Sequence, residues 1–200
     1  MTKGWMLSVF SCGCMLAAGL SQGERDRAMS ELHATRKQLL DAVNGLTDAQ
    51  LKWKAAPEKW SVLEVAEHLA VTEQEVFGMV AQSLKGPGDA EKRVGIKVKD
   101  EDILRMVPDR SRKFQAPETI RPTGRWKTIG DLLQEFKARR DRTIEFVEKT
   151  PADLRNYVLP HPAFGPIDAY QWMLLLAGHT ERHVKQIREA LEEQRAARSK

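Results

Sequence analysis

The sequence feature that most constrains the fold is a long run of helical periodicity in residues 168–195. Side chains at steps of three and four residues lie on one face of an α-helix. The residues that recur at these steps are Trp172, Leu175, Leu176, His179, His183, Ile187 and Ala190. Asp168 comes just before the run and is a favourable N-cap. The pattern predicts a long helix with two histidines, four residues apart, on its buried face.

Three further segments have helical periodicity of the same kind. Residues 24–45, 61–84 and 128–149 each carry a broad apolar stripe. The second segment opens with Ser61 and Glu64, which have the spacing of a capping box. In that motif the hydroxyl and the carboxylate each accept a hydrogen bond from a backbone N–H at the start of the helix. Four long helices predict an all-α four-helix bundle.

The connection between the second and third helices, residues 86–126, is the least regular part of the chain. It contains Pro108, Pro117 and Pro122, and only residues 100–107 suggest a helical turn. A loop of this length is uncommon in a compact domain and is often functional. Two interpretations stay open: a lid or substrate wall, and a plain crossover between helices.

The shorter connections are predicted from their turn residues. Residues 47–50 and the start at 150–151 are predicted to form short helical turns, and residues 156–166, rich in proline, a loop. Residues 93–98 are the one stretch with a weak strand-like alternation. Together these elements predict a single domain over residues 24–196, which is long enough to bury a full hydrophobic core.

Composition excludes few classes of function, but it argues against nucleic-acid binding. The chain has 200 residues with 32 Lys and Arg against 28 Asp and Glu, a net charge of +4. Basic and acidic residues alternate, so no basic face stands out, and neither a Gly-rich phosphate loop nor zinc-ribbon cysteines are present. We therefore expect a small-molecule substrate and no nucleic-acid partner.

The first 22 residues have the order of a secretory signal peptide: Lys3, an apolar run up to Leu20, then small residues. Cleavage near Ala18 or Gly19 fits the small-residue rule, whereas the residues before Cys14 are a poor lipoprotein signal. This interpretation predicts an exported protein, periplasmic or secreted, without a membrane span after cleavage. The alternative is translation from Met29, which gives a cytoplasmic protein. Both cysteines lie in this segment, so they do not indicate the redox compartment of the mature chain.

The two histidines of the last helix suit the capture of one metal ion, because an H-x-x-x-H spacing on a helix brings two imidazoles side by side. Such a pair is also compatible with histidines that have no ligand role. His68 adds to the case, since it lies beside Leu69 on the inward side of the second helix.

The segment around His68 carries a recognisable motif. Residues 60–69, Trp-Ser-Val-Leu-Glu-Val-Ala-Glu-His-Leu, resemble the W-S-x-x-E-x-x-x-H-L signature of the DinB-like (DNA-damage-inducible) metalloprotein family. His179 and His183 match the H-x-x-x-H of that family's last helix, and Phe136 with Arg140 is similar to its third helix. The resemblance covers residues 24–195. It implies an up-down-down-up four-helix bundle in which His68, His179 and His183 bind a divalent metal, zinc or nickel.

Three imidazoles leave one coordination position open, the pattern of a catalytic metal site. A bound water with a lowered pKa, or an activated thiolate, would then be the nucleophile. The resemblance therefore implies a metal-dependent hydrolase or a thiol-dependent S-transferase; the alternative is a non-catalytic metal- or ligand-binding bundle. Thiol cofactors are mainly cytoplasmic, so export favours hydrolysis or binding. No general base is evident, no catalytic residue is assigned, and a homodimer is left open.

Other candidate residues have simpler interpretations. His33 and the loop residue His161 are expected to face solvent, and the capping role explains Glu64. The tryptophans are interpreted as core or loop anchors, namely Trp60, Trp126 and Trp172, although Trp172 lies two turns before His179 and is also a candidate for lining the pocket. The arginines Arg139, Arg140 and Arg142 are expected to be solvated or paired.

Overall fold

A computed structural model of the protein describes residues 19–199. The helices are α1 (Gln22–Val43), α2 (Asp48–Lys52), α3 (Val62–Ser83), α4 (Asp100–Met106), α5 (Ile129–Lys149) and α6 (Ala169–Arg198). Two strands, β1 (Val158–His161) and β2 (Gly165–Asp168), form one antiparallel hairpin. Short 3-10 turns cover Ala90–Gly95, Glu118–Ile120 and Leu154–Asn156.

Capping boxes explain where the helices begin. The predicted box at the start of α3 is confirmed: Ser61 accepts from the Glu64 amide at 3.2 Å, and Glu64 accepts from the Ser61 amide at 2.7 Å. The same arrangement with Ser21 and Glu24 starts α1 at Gln22, two residues earlier than predicted. Each box satisfies backbone donors that the first turn of a helix leaves free.

The four long helices form a bundle in which α1 and α3 each pack on α5 and α6. Contacts between α3 and α5 advance together along both helices, from Ala70 with Arg139 to Phe77 with Phe146, so these helices are parallel. Tyr170, at the start of α6, bonds the Glu24 carbonyl at the start of α1, which makes α1 and α6 parallel too.

The other two pairings are antiparallel. Arg25 near the start of α1 bonds the Val147 carbonyl near the end of α5, whereas Arg36 further along α1 bonds Asp141. On α3 and α6, Lys59 just before α3 pairs with Glu193 near the end of α6. The order is therefore up-down-down-up, as the resemblance implied. Because α3 and α5 are parallel neighbours, residues 86–126 must return along the bundle, a distance of about 33 Å for a 22-residue helix.

Apolar side chains fill both ends of the bundle, and a polar layer lies between them. One cluster includes Leu39, Phe136 and Ile187, and the other includes Leu32 and Met173. Between them Arg140 of α5 is fully buried and paired with buried Glu73 of α3. Arg139 and Arg142 are also paired, with Glu135 and Gln74, so the expectation for these arginines is met, although complete burial of Arg140 is more than the pattern indicated.

Three short segments differ from the sequence-based expectation. Residues 156–166 are not a plain loop, because β1 and β2 pair there with Pro160 opposite Pro166. Two prolines can face each other where the opposed residues exchange no N–H bonds, and their presence hid the hairpin. Residues 93–98 include no strand; a 3-10 turn covers the first three of them. The turn expected at 150–151 lies at Leu154–Asn156, capped by Asp153.

The predicted signal peptide falls mostly outside the described residues, and it stays a prediction. Of its last residues, Leu20 is buried in the core and Ser21 caps α1. Among residues 19–199, no helix has the length and apolar character to cross a bilayer.

Candidate metal centre

His68, His179 and His183 meet between α3 and α6, so the structure brings all three predicted residues together. The helical spacing of α6 puts His179 and His183 on one face, with ring centroids 4.4 Å apart. The antiparallel packing of α3 places the His68 ring against both, at 5.0 Å and 4.7 Å. His68 and His183 are buried, and His179 keeps partial access to the surface.

The Nε2 atoms of the three rings converge. The Nε2 atom of His179 lies 3.2 Å from that of His68 and 3.1 Å from that of His183. Imidazoles bound to one ion at 2.0–2.1 Å have nitrogens about 2.8–3.4 Å apart, from octahedral to tetrahedral geometry. The two measured separations fall in the range that is compatible with a shared divalent cation.

Oxygen acceptors occupy the opposite nitrogens of two rings. Nδ1 of His68 donates to the Ile120 carbonyl at 2.8 Å, and Nδ1 of His183 donates to the Gln186 side-chain oxygen, also at 2.8 Å. A ring that carries its proton on Nδ1 presents a lone pair on Nε2. Such outer contacts fix the tautomer and orientation of metal-binding histidines.

Burial and mutual repulsion keep these imidazoles neutral. Burial lowers the pKa of His68. The pKa values of His179 and His183 lie well below the usual range, first because of burial and then because each ring lies close to other imidazoles. A neutral imidazole is the form that binds a metal, so the site needs no deprotonation at neutral pH.

Glu67, next to His68, holds the long crossover against the site. Its carboxylate accepts hydrogen bonds from three consecutive backbone amides, those of Thr123, Gly124 and Arg125, at 2.7, 3.0 and 3.2 Å. This contact fixes the segment that also supplies the Ile120 carbonyl. The sequence interpretation missed Glu67 because backbone amides carry no side-chain signature. Gln186 was detectable in principle, since it lies three residues after His183 on the same helix.

Nearby carboxylates are already occupied. Glu64 caps α3 and accepts from Lys54 at 2.9 Å, and these contacts lower its pKa against the opposing effect of burial. Glu67 is bonded to the loop, as described above. The Trp60 ring packs against the His68 ring, with centroids 4.9 Å apart. The three histidines could therefore hold a metal ion with one coordination position left open for a ligand. Neither Glu64 nor Glu67 is free to act as a base.

The remaining candidates lie elsewhere. His33 is exposed and contacts Arg36, as expected. His161 was expected to face solvent, and this prediction was wrong. The hairpin packs its ring against Trp172, with centroids 5.1 Å apart, and burial lowers the pKa of His161. His161 does not join the three-histidine cluster. Trp172 is buried in the core, and Trp126 packs under the Arg139 guanidinium.

Comparison with known proteins agrees with the fold. The chain is 27% identical to Bacillus subtilis (strain 168) YuaE, an uncharacterized protein, over 164 residues that cover 82% of this chain and 97% of YuaE. Among solved structures, it is similar to the four-helix bundle protein TT2238, with a TM-score of 0.51 and 24% identity over 82% of this chain and 98% of TT2238.

A second solved structure is YfiT from Bacillus subtilis, with a TM-score of 0.60 and 18% identity over 88% of this chain and 90% of YfiT. YfiT is described as a probable metal-dependent hydrolase with an unusual four-helix bundle topology. The sequence profile of the DinB superfamily matches residues 31–187, which include all three clustered histidines. With this match over most of its length, the chain belongs to the DinB superfamily.

Proposed function

We propose that this protein binds one divalent cation, zinc or nickel, through Nε2 of His68, His179 and His183, and that it is a metal-dependent hydrolase. The observation that carries the proposal is the convergence of three Nε2 atoms, with that of His179 lying 3.2 Å from His68 and 3.1 Å from His183. The donor set also fits, because three neutral imidazoles favour zinc and nickel over calcium or magnesium.

The arrangement supports catalysis more than a purely structural ion. A structural zinc site is closed by four protein ligands, whereas three leave a position for substrate or water. A bound divalent cation supplies Lewis acidity, which polarises a carbonyl or phosphoryl oxygen and lowers the pKa of a coordinated water. Glu64 and Glu67 are held in other contacts, so the metal itself is the proposed activator. The description of YfiT as a probable metal-dependent hydrolase points the same way.

Metal content of the His179→Ala variant tests the ion site. We expect the wild type to hold one equivalent of zinc or nickel after loading and desalting, and the variant to hold much less. His33→Ala is the matched control, because His33 is an exposed histidine on α1 outside the cluster. Full metal in His179→Ala, with both variants folded by circular dichroism, would remove the site.

Turnover then separates the two classes of reaction. The loaded protein is offered a panel of ester, amide and epoxide electrophiles with and without a low-molecular-weight thiol. Turnover without thiol supports the hydrolase, and turnover only with thiol supports the S-transferase instead. Metal binding without turnover on the whole panel favours the non-catalytic binding protein.

We further propose that the protein is exported. The leader-like sequence of residues 1–22 supports export to the periplasm or medium, and mass spectrometry of the mature N-terminus tests it. A start at Met29 would indicate the cytoplasmic alternative. Sedimentation of the purified protein tests whether it forms a homodimer.

A further inference from the structure

Two buried polar groups close to the histidine cluster have no hydrogen-bond partner within residues 19–199: the Thr72 hydroxyl and the Trp172 indole N–H. The two residues are only 5% and 7% exposed. Leaving a buried donor unsatisfied is costly, and such groups in native proteins need an explanation.

Thr72 differs from the other buried threonines inside helices. Thr35, Thr143 and Thr180 each donate to the backbone carbonyl four residues earlier, at 2.8, 3.2 and 3.0 Å. That local bond is the usual way for a helical threonine to satisfy its hydroxyl. Thr72 has the same option with the carbonyl of His68 but does not use it. Its hydroxyl is therefore left for another partner.

Both groups lie on the helix faces that carry the histidines. Thr72 follows His68 by four residues on α3, and Trp172 precedes His179 by seven residues, two turns, on α6. Because α3 and α6 are antiparallel, going forward along α3 and going backward along α6 lead to the same end of the bundle. Thr72 and Trp172 are therefore displaced from the histidines toward the same end. Thr72 is thus about 6 Å, one turn, along the axis from His68, and Trp172 lies about 10 Å from His179.

We propose that Thr72 and Trp172 bind the substrate of the three-histidine centre, and that this substrate is a small organic anion with an apolar body and an oxygen acceptor at its far end. The proposal rests on the proposed metal site and extends it to the class of substrate. The indole N–H can only donate, so its missing partner must be an acceptor. Two apolar residues lie on the same helix faces. Val76 is one turn after Thr72 on α3, and Leu175 is one turn after Trp172 on α6.

The charge of the adjacent crossover favours an anion. Residues 110–127 hold one acidic side chain, Glu118. This segment contacts the site where the Ile120 carbonyl accepts from His68 and where the Thr123 amide donates to Glu67. Its basic side chains are Arg110, Arg112, Lys113, Arg121, Arg125 and Lys127. The chain as a whole is nearly balanced, with 32 basic and 28 acidic residues. Arg110 is paired with Glu189, and the other five leave a local excess of positive charge. Such an excess raises the local concentration of anionic ligands.

Binding of paired probes to the zinc-loaded protein tests the proposal. The probes are the linear dicarboxylates glutarate, adipate and pimelate, each compared with the monocarboxylate of equal length, and calorimetry gives each Kd. One carboxylate can reach the metal in both members of a pair, so the gain from the second carboxylate reports the far acceptor site. We expect at least one dicarboxylate to bind about tenfold more tightly than its monocarboxylate.

Thr72→Val and Trp172→Phe should remove this gain, since each deletes the polar group. Thr72→Val keeps the shape of the side chain, and Trp172→Phe keeps an aromatic ring of smaller size. Thr143→Val and Trp53→Phe are matched controls and should keep it. Zinc content and unfolding midpoint are measured on every sample. Loss of zinc from the wild type would refute the proposed metal site. Full zinc with no second-carboxylate gain, or with a gain that survives both substitutions, would overturn the present proposal alone.

Discussion

The Nδ1 atoms of two clustered histidines are committed to oxygen acceptors, and this commitment determines what their Nε2 atoms present. His183 donates to Gln186, whose oxygen also accepts from Arg110 at 3.3 Å. The amide oxygen therefore sits between two donors on the surface of α6. Its role is to hold one ring in the tautomer and orientation that ligand binding requires.

Replacing Gln186 with alanine should weaken metal binding without abolishing it. We expect the Kd for zinc to rise about tenfold to a hundredfold, the usual cost of losing an outer contact to a ligating histidine. The stoichiometry should stay at one, because the three Nε2 donors remain. Competition against a chromophoric chelator measures the change.

Gln74→Ala is the control for this substitution. Gln74 bonds Arg142 on the exposed side of α3, away from the cluster. An unchanged Kd in Gln186→Ala, or an equal rise in both variants, would show that the amide does not position His183.

Residue roles in the site were predictable where a residue carries its own signal. His68, His179 and His183 follow from helical spacing and the family motif. Glu67 does not, because its partners are main-chain amides 56 to 58 residues away. The fully buried state of Arg140 was likewise hidden, since an arginine among exposed neighbours on α5 reads as a surface residue.

At the scale of elements, Arg140 joins all four long helices. From α5 it pairs with Glu73 of α3 at 2.8–3.0 Å, bonds Thr35 of α1 at 3.0 Å and bonds Thr180 of α6 at 2.8 Å. The guanidinium thus has an acceptor on each neighbouring helix. Thr180 follows His179 directly, so this layer also fixes the position of the α6 histidine pair along the bundle axis relative to α3.

Arg140→Met should destabilise the bundle by about 3–5 kcal/mol, because it leaves the Glu73 carboxylate buried without a counter-charge. The double variant Glu73→Leu/Arg140→Met should recover much of this loss, since it removes both charges together. Urea unfolding of the metal-free proteins measures the free energy of unfolding in each case.

Two outcomes would contradict this interpretation. One is a loss below about 1 kcal/mol in Arg140→Met, the range typical of exposed ion pairs. The other is a double variant less stable than the single one. Lys149→Met, which breaks an exposed pair with Glu145, gives the reference value for a surface bridge.

At the scale of the whole molecule, the histidine cluster links stability to pH. The folded-state pKa values of His68, His179 and His183 are lowered, while an unfolded chain titrates its histidines near pH 6.5. Below that pH the unfolded state binds protons that the folded state does not. Acid therefore shifts the equilibrium toward unfolding.

The metal-free protein should accordingly lose stability as pH falls from 7.5 to 5.5. Each histidine that stays neutral in the folded state contributes a slope that grows from near zero at pH 7.5 toward about 1.4 kcal/mol per pH unit below pH 6.5, a loss of about 1.4 kcal/mol over the whole range. The urea midpoint at several pH values measures the slope. Above pH 7.5 the histidine contribution is fully present and should be flat.

A variant with glutamine at positions 68, 179 and 183 is the control, and its slope over the same range should be much smaller. His161 also has a lowered pKa and contributes what slope remains. Paired carboxylates such as Glu24 and Glu64 respond only at more acidic pH, near and below 4.5. Equal slopes for the variant and the wild type would assign the pH dependence to other groups.

The attachment of the long crossover has one further consequence. Glu67 holds the amides of residues 123–125, His68 takes the Ile120 carbonyl, and Arg182 bonds the carbonyls of Asp109 and Arg112. Every one of these contacts uses main-chain atoms of the crossover. The side chains at these attachment points are therefore free to change during evolution while the segment keeps its path, although Arg110 and the buried Ile103 are held by side-chain contacts. One histidine triad can in this way serve descendants with different specificities.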